Sequence, residues 1–481
     1  MDNYIEWQQF EELNLKVINN DFFESVTLTR DKNYNILFKI NCKKIEQNQP
    51  YEVSDISSFF ISKLNNITAT SIKCIGKSFT LNGFVVEKFN LSIEDKHSFE
   101  GILLHLESSY IIGNIGDPEF INVWLLNSPN DANFDVGITR SGSNKQSYQW
   151  GDFAKDEFCF DNGTSLSWAG IKMKYKSYDF LFIKADTFTK SKTSFLRFEK
   201  KQFPTNEVLD EIICILDFIF GMTFIYIGNT KYNKASSPVS DCYLSSYRKD
   251  IEQILIEAQY PVIPLRLIDF HQFQIPTTEL INKIFENILK KSKFTFRKNF
   301  ELINYARTQP AEVKIQPLAA SFDNICEQYY KGIDNNLIAQ NIFSDLQSLI
   351  HKQIDSLDIT EEQKRILKSK TPQINNQSQN QRNKKIFNEL GLKLGKLEKK
   401  ALDARNRSVH GGFDSTKINE IILLSRCYYT LINRLILKIL DIPLYIDYTH
   451  PNGLPMKIEE AQNTWMEKIL QNEDKKSESN K

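Results

Sequence analysis

An arginine, an asparagine and a histidine lie within one short segment of the C-terminal part of the sequence. Arg405 and Asn406 are adjacent, and His410 follows Asn406 by four positions. Residues four apart share one face of a helix, so the three side chains would lie together if the segment is helical. Gly411 and Gly412 come next, and glycine is typical of the end of a helix. The pattern predicts a guanidinium, an amide and an imidazole at a helix end.

This set of groups is suited to cleaving RNA without a metal ion. The ribose 2′-hydroxyl attacks the adjacent phosphorus, and a group that titrates near neutral pH must move its proton, which histidine can do. A fixed positive donor must stabilise the charge that builds on the phosphoryl oxygens, which suits the arginine fork. We expect His410 in proton transfer, Arg405 in transition-state stabilisation and Asn406 in orienting the imidazole or binding phosphate. DNA lacks the hydroxyl and is not expected to be cut.

Spacing alone does not identify a site, because the sequence contains a second arginine followed five positions later by a histidine. Arg266 and His271 form this pair, but leucine follows the arginine, and Pro264 and Pro276 flank the segment. Proline disfavours a helix interior. We interpret Arg266 and His271 as structural residues.

The segment around Arg405 resembles the motif of the HEPN ribonuclease family. That motif is arginine, a polar residue that is often asparagine, a short spacer and histidine, near the end of a helical bundle; Arg405, Asn406 and His410 match it. The layout of the chain is similar to the ApeA type of anti-phage defence protein. Residues 322–331 (FDNICEQYYK) resemble the end of its first bundle helix, with Tyr330 where histidine is common. The resemblance implies that Glu327 is a third polar group near His410.

The resemblance also implies an activity and an assembly. Two copies would form a homodimer in which the two Arg-x4-His segments face each other and form one RNA-cutting site. The family's substrates include tRNA anticodon loops, whose exposed bases proteins read easily. We therefore expect a metal-independent endoribonuclease toxin of bacterial anti-phage defence that needs no cofactor. It would stay inactive until a phage signal arrives, with the N-terminal half as sensor or restraint.

A function without catalysis is the alternative. In that hypothesis the helical region is a dimerisation module that binds RNA or a nucleotide and serves a sensory N-terminal half. The two hypotheses differ in whether RNA is cut or only retained.

Basic residues precede the Arg405 segment. Residues 382–407 contain nine Lys/Arg and three Asp/Glu. We expect Lys396, Lys399, Lys400 and Arg407 to contact the RNA backbone, although the solvated side of an amphipathic helix has the same composition. Residues 290–298 (KKSKFTFRK) interleave two phenylalanines with basic residues, which can hold bases, but an ordinary strand or helix edge is the favoured interpretation.

Length and composition favour several packed domains. The chain has 481 residues, which is too long for a single hydrophobic core. Hydrophobic residues make up 41% and aromatic residues 12%, which is enough to fill several packed interiors. Lys+Arg and Asp+Glu balance at 60 each, so a basic surface must be local. The seven cysteines form no CxxC pair, which indicates thiols in a reducing compartment. With no visible signal peptide, a cytoplasmic location is expected.

The patterning predicts an α+β protein with four segments. Residues 1–205 alternate like strands between turn signals, which favours a β-sandwich-like or barrel domain. Residues 206–310 are predicted as a helical connector, with helices over 206–227, 241–258 and 277–292. Residues 311–445 are predicted as an all-α HEPN bundle, and residues 446–481 as a charged tail.

Apolar stripes support the predicted bundle. Their members recur at steps of three, four or seven: Leu318, Phe322, Ile325 and Tyr329; Ile338, Ile342, Leu346 and Leu349; Phe387, Leu390, Leu394, Leu397 and Ala401; Ile418, Ile421, Tyr428, Ile432, Leu435 and Ile439. The last stripe predicts a helix over 415–441 with Asp414 as its N-cap. Residues 372–383 are predicted as an exposed polar loop.

Other classes of function are not supported. Residues 212–228 are almost wholly apolar, but Asp217 interrupts them and they are short for a span, so we expect a buried helix and no membrane association. The sequence has no P-loop, GxGxxG or GxSxG motif. No metal site is predicted, and His105 in particular has no partner at ligand spacing.

Overall fold

A computed structural model describes most of the chain. The described residues are 12–43, 61–64, 67–71, 77–90, 97–110, 116–129, 136–141, 146–150, 156–158, 166–184, 193–235, 237–246, 251–257, 277–333, 336–392, 394–409, 418–442, 448–449 and 455–456. The predicted Arg266–His271 pair, the proposed N-cap Asp414 and most of the C-terminal tail lie outside these residues.

The chain divides into two compact units. The first spans Met1–Leu289 and is called the strand-rich unit; the second spans Lys290–Lys481 and is called the helical unit. This arrangement confirms a mixed α+β protein with strands first and helices last. The boundary falls at 289/290, and the predicted divisions at 205, 310 and 445 are not boundaries between these units.

The strand-rich unit contains fifteen strands in the described residues. They are β1 (Leu13–Val17), β2 (Phe23–Arg30), β3 (Ile36–Cys42), β4 (Ile67–Ser71), β5 (Lys77–Asn90), β6 (Ser98–Tyr110), β7 (Phe120–Leu126), β8 (Val136–Ser141), β9 (Gln146–Trp150), β10 (Asp156–Phe158), β11 (Leu166–Tyr175), β12 (Tyr178–Lys184), β13 (Thr193–Glu199), β14 (Ile225–Tyr232) and β15 (Pro238–Leu244).

All fifteen strands belong to one sheet. Its order is β10-β9-β8-β11-β12-β13-β7-β14-β15-β6-β3-β2-β1-β4-β5, and β5 also pairs with β6. The last six strands therefore close into a ring, while the other nine continue the sheet from β6 outward. A sandwich has two separate sheets packed face to face. Of the two predicted alternatives, the closed ring agrees with the barrel, and the β-sandwich-like prediction was wrong because one sheet continues through β6 into the ring.

The ring encloses an apolar core. Alternate residues of its strands face inward, as the two-residue period of a strand requires. Leu15, Val26, Ile36, Leu81 and Leu103, from five strands, are fully buried in this core. The alternation of apolar and polar residues in the sequence therefore identified these strands, because each strand buries only one of its faces.

A helix after β13 is shorter than the sequence predicted. It begins after Thr205, whose side chain accepts a hydrogen bond from the backbone N–H of Val208, and spans Asn206–Phe220 (α1). Gly221 ends it with a left-handed backbone conformation (φ 63°), which glycine adopts without strain. Strand β14 starts only four residues later. The predicted continuous helix over 206–227 was wrong because the apolar run contains both a buried helix and a buried strand.

The predicted helix over 241–258 was also wrong in its first part. Residues 238–244 form β15, which pairs with both β14 and β6. A helix follows only at Ile251–Glu257 (α2), and another spans Thr277–Lys290 (α3). Segment 206–310 is therefore not a purely helical connector, because two of its segments complete the sheet.

The helical unit contains seven helices in its described part, with a short hairpin near the end. They are α4 (Phe296–Arg307), α5 (Ala311–Tyr329), α6 (Gln340–Asp355), α7 (Glu361–Lys370), α8 (Gln379–Glu389), α9 (Lys396–Val409) and α10 (Ile418–Ile439), followed by β16 (Tyr448–Thr449) and β17 (Pro455–Met456). Within the described parts of both units, every helix is too short or too polar to cross a bilayer.

Helices α5 and α10 confirm two of the predicted apolar stripes. Leu318, Phe322 and Ile325 of α5 are fully buried. The Phe322 ring stacks on Phe387 with centroids 5.6 Å apart and meets the Tyr428 ring of α10 edge-on at 6.2 Å. These three rings form the centre of the core in this unit.

Helix α6 differs from the prediction. The four apolar residues of its stripe are exposed to between 40% and 60%: Ile338, Ile342, Leu346 and Leu349. Only Phe343 and Ile354 of this helix are buried. The periodicity identified the helix correctly, but its apolar face is not part of the core.

The predicted polar loop over 372–383 is partly helical. A short 3-10 turn spans Thr371–Asn375, and α8 then begins after Ser378. The Ser378 hydroxyl accepts the backbone N–H of Gln381, and the Gln381 side chain accepts the backbone N–H of Ser378. This capping box, formed entirely by polar side chains, is why a polar segment folds as a helix here.

Gly101 of β6 is a position in the ring where we expect substitution to be destabilising. A Cβ atom placed on Gly101 would lie 2.0 Å from the backbone oxygen of Val85 in β5. We expect Gly101→Ala to lower the free energy of unfolding of the strand-rich unit by about 1–3 kcal/mol, because the backbone must move apart. Urea denaturation measures this change. Ser109→Ala, at an exposed position of the same strand, is the control; equal stability of both variants would contradict the packing.

Candidate active site

Arg405 lies four residues before Val409, the last described residue of α9, at the edge of the buried side of this helix. Leu397, Ala401 and Ala404 of this helix are buried, and α9 packs against α5 and α10. Arg405 follows Ala401 by four positions and therefore lies next to the same face. Helix α9 thus carries the guanidinium to the border between the interior of the helical unit and solvent.

A two-point ion pair fixes the Arg405 side chain. Nη1 donates to Oδ1 of Asp323 at 3.1 Å, and Nη2 lies 2.5 Å from Oδ2 of the same carboxylate. Asp323 belongs to α5, and the two side chains are 26% and 28% exposed. Two parallel contacts define the plane of the guanidinium, which a single contact would leave free to rotate. The pair orients Arg405 and balances part of its charge.

The ion pair lies beside neutral buried groups. Burial raises the pKa of the Cys326 thiol, and the Asp323 carboxylate raises it further. Burial likewise raises the pKa of the Tyr428 hydroxyl. Both groups therefore keep their protons at neutral pH, and neither competes with Asp323 for the arginine charge.

Two further ion pairs hold α9 on α10. Lys400 Nζ lies 2.9 Å from Glu420 Oε1, and Glu398 Oε1 lies 3.6 Å from Nη1 of Arg434. Glu398 and Arg434 are both almost completely buried. Removing one partner of a buried pair is costly. The register of α9, and with it the position of Arg405, is therefore tied to α10.

Three of the predicted residues in the motif segment 405–410, all of which follow Arg405, have side chains outside the described part of the chain. Asn406 and Arg407 continue α9 directly after Arg405, but only their backbone is described. His410 follows Val409, the last described residue of α9, and lies outside the described residues. The structure therefore confirms a helix as far as Val409, and the roles of Asn406 and His410 stay predictions.

The acidic residue beside Arg405 is Asp323, one turn before the predicted Glu327. Glu327 lies on the same helix and is exposed. Sequence reasoning considered Glu327 and missed Asp323. A signal was present, because Asp323 directly follows the buried Phe322 and so lies at the edge of the apolar stripe of α5, where a carboxylate can meet a neighbouring helix.

The predicted basic face is divided between solvent and ion pairs. Lys399 is exposed and can reach a backbone phosphate. Lys400 is half-buried in its pair with Glu420. The side chain of Lys396 lies outside the described residues. Of the two predicted lysines whose side chains are described, Lys399 is the exposed one, and the RNA contact stays a prediction.

The cluster over 290–298 has the structural role that was favoured. Phe294 and Phe296 are buried and stack on each other with centroids 5.4 Å apart. Phe296 continues the stack to Phe300 at 6.0 Å. Rings packed in this way are not available to bases.

A second group of reactive side chains lies in the strand-rich unit, and it corrects the statement that His105 has no partner at ligand spacing. His105 Nε2 lies 3.0 Å from Cys242 Sγ and 3.4 Å from Glu107 Oε1. Cys242 is 137 residues away in the chain, so only the pairing of β6 with β15 reveals this neighbour.

The Cys242 thiol is protonated in this arrangement. Burial and, to a smaller extent, the Glu107 carboxylate together raise its pKa to about 12, while Lys231 acts to lower it. The thiol can therefore donate to His105 Nε2 when the imidazole proton is on Nδ1. Without a bound ion, the contact is a thiol–imidazole hydrogen bond.

Comparison of the chain with models of protein families, with curated proteins and with solved structures finds no match.

The Asp323–Arg405 pair makes a quantitative prediction. In a double-mutant cycle with Asp323→Asn and Arg405→Gln, we expect a coupling of about 1–2 kcal/mol in the free energy of unfolding, because the pair is two-point and largely shielded. The exposed pair Arg297–Glu301 on α4, at 2.9 Å, is the control, with an expected coupling of about 0.3–0.5 kcal/mol. Urea denaturation followed by circular dichroism measures both. Equal couplings would show that Asp323 does not fix Arg405.

Proposed function

We propose that the helical unit is a metal-independent endoribonuclease whose reactive groups are Arg405, Asn406 and His410. The observation that carries this proposal is the setting of Arg405. Its guanidinium projects from α9, is partly exposed, and is fixed in its plane by a carboxylate through two contacts. Transition-state stabilisation depends on a positive donor that is oriented before the reaction begins, and this geometry supplies one.

The proposed reaction is an intramolecular phosphoryl transfer. A basic group takes the proton of the ribose 2′-hydroxyl, the oxygen attacks the adjacent phosphorus, and the P–O5′ bond breaks. The leaving 5′-oxygen gains a proton. The products are a 2′,3′-cyclic phosphate and a 5′-hydroxyl. His410 is assigned the proton transfer, since an imidazole changes its charge near neutral pH.

Arg405 can contact Asp323 and a phosphate at the same time. A guanidinium carries five N–H donors. The carboxylate of Asp323 faces Nη1 and Nη2, which leaves other N–H groups of the fork for phosphoryl oxygens. Asp323 is therefore assigned a positioning role. Asn406, next in the chain, is assigned to phosphate or imidazole contact, and Glu327 stays a candidate third polar group.

The proposed assembly is a homodimer with one shared cutting site. The apolar face of α6 supports association of this unit, since Ile342 and Leu349 are 58% and 60% exposed. Contiguous exposed apolar side chains of this kind are typical of protein–protein contacts. A second copy of the chain is the proposed occupant.

The proposed biological role is that of a toxin in bacterial anti-phage defence, with tRNA anticodon loops as substrate. It rests on the resemblance of residues 322–331 and 405–410 to the HEPN family. Anticodon loops present unstacked bases beside a backbone that an exposed lysine such as Lys399 can hold. The strand-rich unit is proposed as the sensor that responds to a phage-encoded signal.

One observation favours the non-catalytic alternative. An arginine that faces a carboxylate through two contacts has part of its charge balanced, as structural arginines commonly have. In that case the helical unit would bind RNA or a nucleotide as a dimerisation module without cutting it. The fate of bound RNA distinguishes the two proposals.

His410→Ala is expected to slow RNA cleavage by about 10²–10⁴-fold, the usual contribution of a proton-transfer group. Circular dichroism of the variant should be unchanged. Single-turnover cleavage of labelled tRNA, with protein in excess, measures the rate. His351→Ala on α6 is the matched control and should keep the parent rate. Undiminished cleavage by His410→Ala would rule out this site.

The product ends are expected to be independent of divalent ions. Cleavage in EDTA should still give 2′,3′-cyclic phosphate and 5′-hydroxyl ends, because the nucleophile is the ribose hydroxyl and no metal-bound water is involved. Mass spectrometry of the fragments identifies these ends. Fragments with 3′-hydroxyl ends, or cleavage that requires added Mg²⁺, would contradict the proposal. RNA that is bound and stays intact would support the binding module.

A further inference from the structure

The pairing of β6 with β15 places three metal-ligand types on one patch of the sheet. The register sets Glu107 opposite Cys242, and Leu106 opposite Tyr243. His105 and Glu107 are two residues apart in β6, so their side chains leave the same face of the strand. Directly opposite and diagonal neighbours on one face are within side-chain reach. The imidazole, the carboxylate and the thiol therefore meet because of the register.

The distances suit one shared ion. The ligand atoms of His105, Glu107 and Cys242 all lie within 4.8 Å of one another. Two of the three separations are 3.0 Å and 3.4 Å. Ligands at 2.0–2.3 Å from a tetrahedral zinc ion lie about 3.4 Å apart, so these separations are close to those of an occupied site. The Glu107 side chain is exposed, and small rotations of it can bring its carboxylate to a similar distance from the Cys242 sulfur.

The donor types indicate which ion would bind. Sulfur and imidazole nitrogen favour zinc and its neighbours in the first transition series, whereas Ca²⁺ and Mg²⁺ prefer sites built from oxygen. One sulfur, one nitrogen and one carboxylate oxygen form a mixed set that Zn²⁺ and Co²⁺ accept. The thiol proton must leave when the metal binds, as at other cysteine ligands.

The three side chains also line a cavity. Its volume is about 720 Å³, and its wall includes Tyr226 and Asn229 of β14. Three protein ligands leave one position of a tetrahedral ion open, which is the arrangement of zinc sites that bind a further molecule. A structural zinc site, by contrast, is closed by four protein ligands. The cavity gives the fourth position room for water or for a small ligand with a donor atom.

We propose that His105, Glu107 and Cys242 form a binding site for one Zn²⁺-type transition-metal ion, with a fourth position open to the cavity of the strand-rich unit. The three residues belong to the strand-rich unit, whereas the residues proposed for RNA cleavage belong to the helical unit. The site gives the strand-rich unit a defined ligand-binding centre of its own.

Cobalt binding tests the proposal. The full-length protein is stripped of metal with EDTA, exchanged into buffer and titrated with CoCl₂. We expect about one Co²⁺ per chain, with the near-ultraviolet absorption of a cobalt–thiolate bond and the strong visible bands of a four-coordinate ion. Zn²⁺ should displace the cobalt and remove both signals. An absence of the thiolate band in the parent protein would overturn the proposal.

Substitutions locate the bound ion. Cys242→Ser should abolish the thiolate band, and Cys42→Ala, which removes another thiol of the same unit, should keep it. His105→Gln should weaken binding by at least about tenfold, because one of three ligands is lost. A thiolate band that survives in Cys242→Ser would place the metal elsewhere and overturn the assignment.

Glu107→Gln keeps the test decisive if Cys242→Ser does not fold. Glu107 is exposed, so this variant should retain the parent circular dichroism while its affinity for Co²⁺ falls by about tenfold or more. Parent affinity in a folded Glu107→Gln variant would contradict carboxylate ligation. These titrations measure no cleavage, so their outcome is independent of the proposed ribonuclease activity.

Discussion

The pairing of Arg405 with Asp323 is the constraint on which the helical unit's proposed chemistry depends. It joins α9 to α5 through two contacts and fixes the plane of the guanidinium at the border with solvent. The same contact balances part of the arginine charge. An oriented donor needs no reorganisation when charge develops on a phosphate, which favours catalysis, whereas a neutralised one attracts phosphate less strongly. The remaining N–H groups of Arg405 are why we favour orientation as the dominant effect.

Helices and strands were predictable from the sequence where an element buries one face and exposes the other. Leu318, Phe322 and Ile325 recur at helical spacing and are buried in α5. The secondary-structure and core predictions failed where the spacing of apolar residues does not show which element packs against them. The apolar run over 212–228 is buried except for the half-buried Thr223 and Tyr226, so neither a helical nor a strand period marks the change at Gly221. The stripe of α6 has the right period for a core helix, but its apolar face is exposed, because periodicity does not reveal what lies opposite.

The candidate sites likewise contain residues that local sequence spacing indicated and residues that only tertiary packing reveals. Arg405 was predictable because its neighbours form a short motif at the end of an amphipathic helix. Asp323 is 82 residues earlier in the chain and is brought to Arg405 only by the packing of α9 on α5. The contact between Cys242 and His105 likewise requires the strand register, which one sequence does not specify over such a distance. Local spacing therefore identified the helix that carries Arg405, and tertiary packing supplied the partner of its guanidinium.

The cleavage rate of an Asp323→Asn variant tests the central claim most directly. A single-turnover experiment with RNA bound to excess protein separates the chemical step from binding. If Asp323 orients Arg405 for catalysis, the rate constant should fall by about tenfold or more, while RNA affinity is retained and the products still carry 2′,3′-cyclic phosphates. An unchanged or higher rate constant would contradict the account, because it would mean that the ion pair only neutralises Arg405.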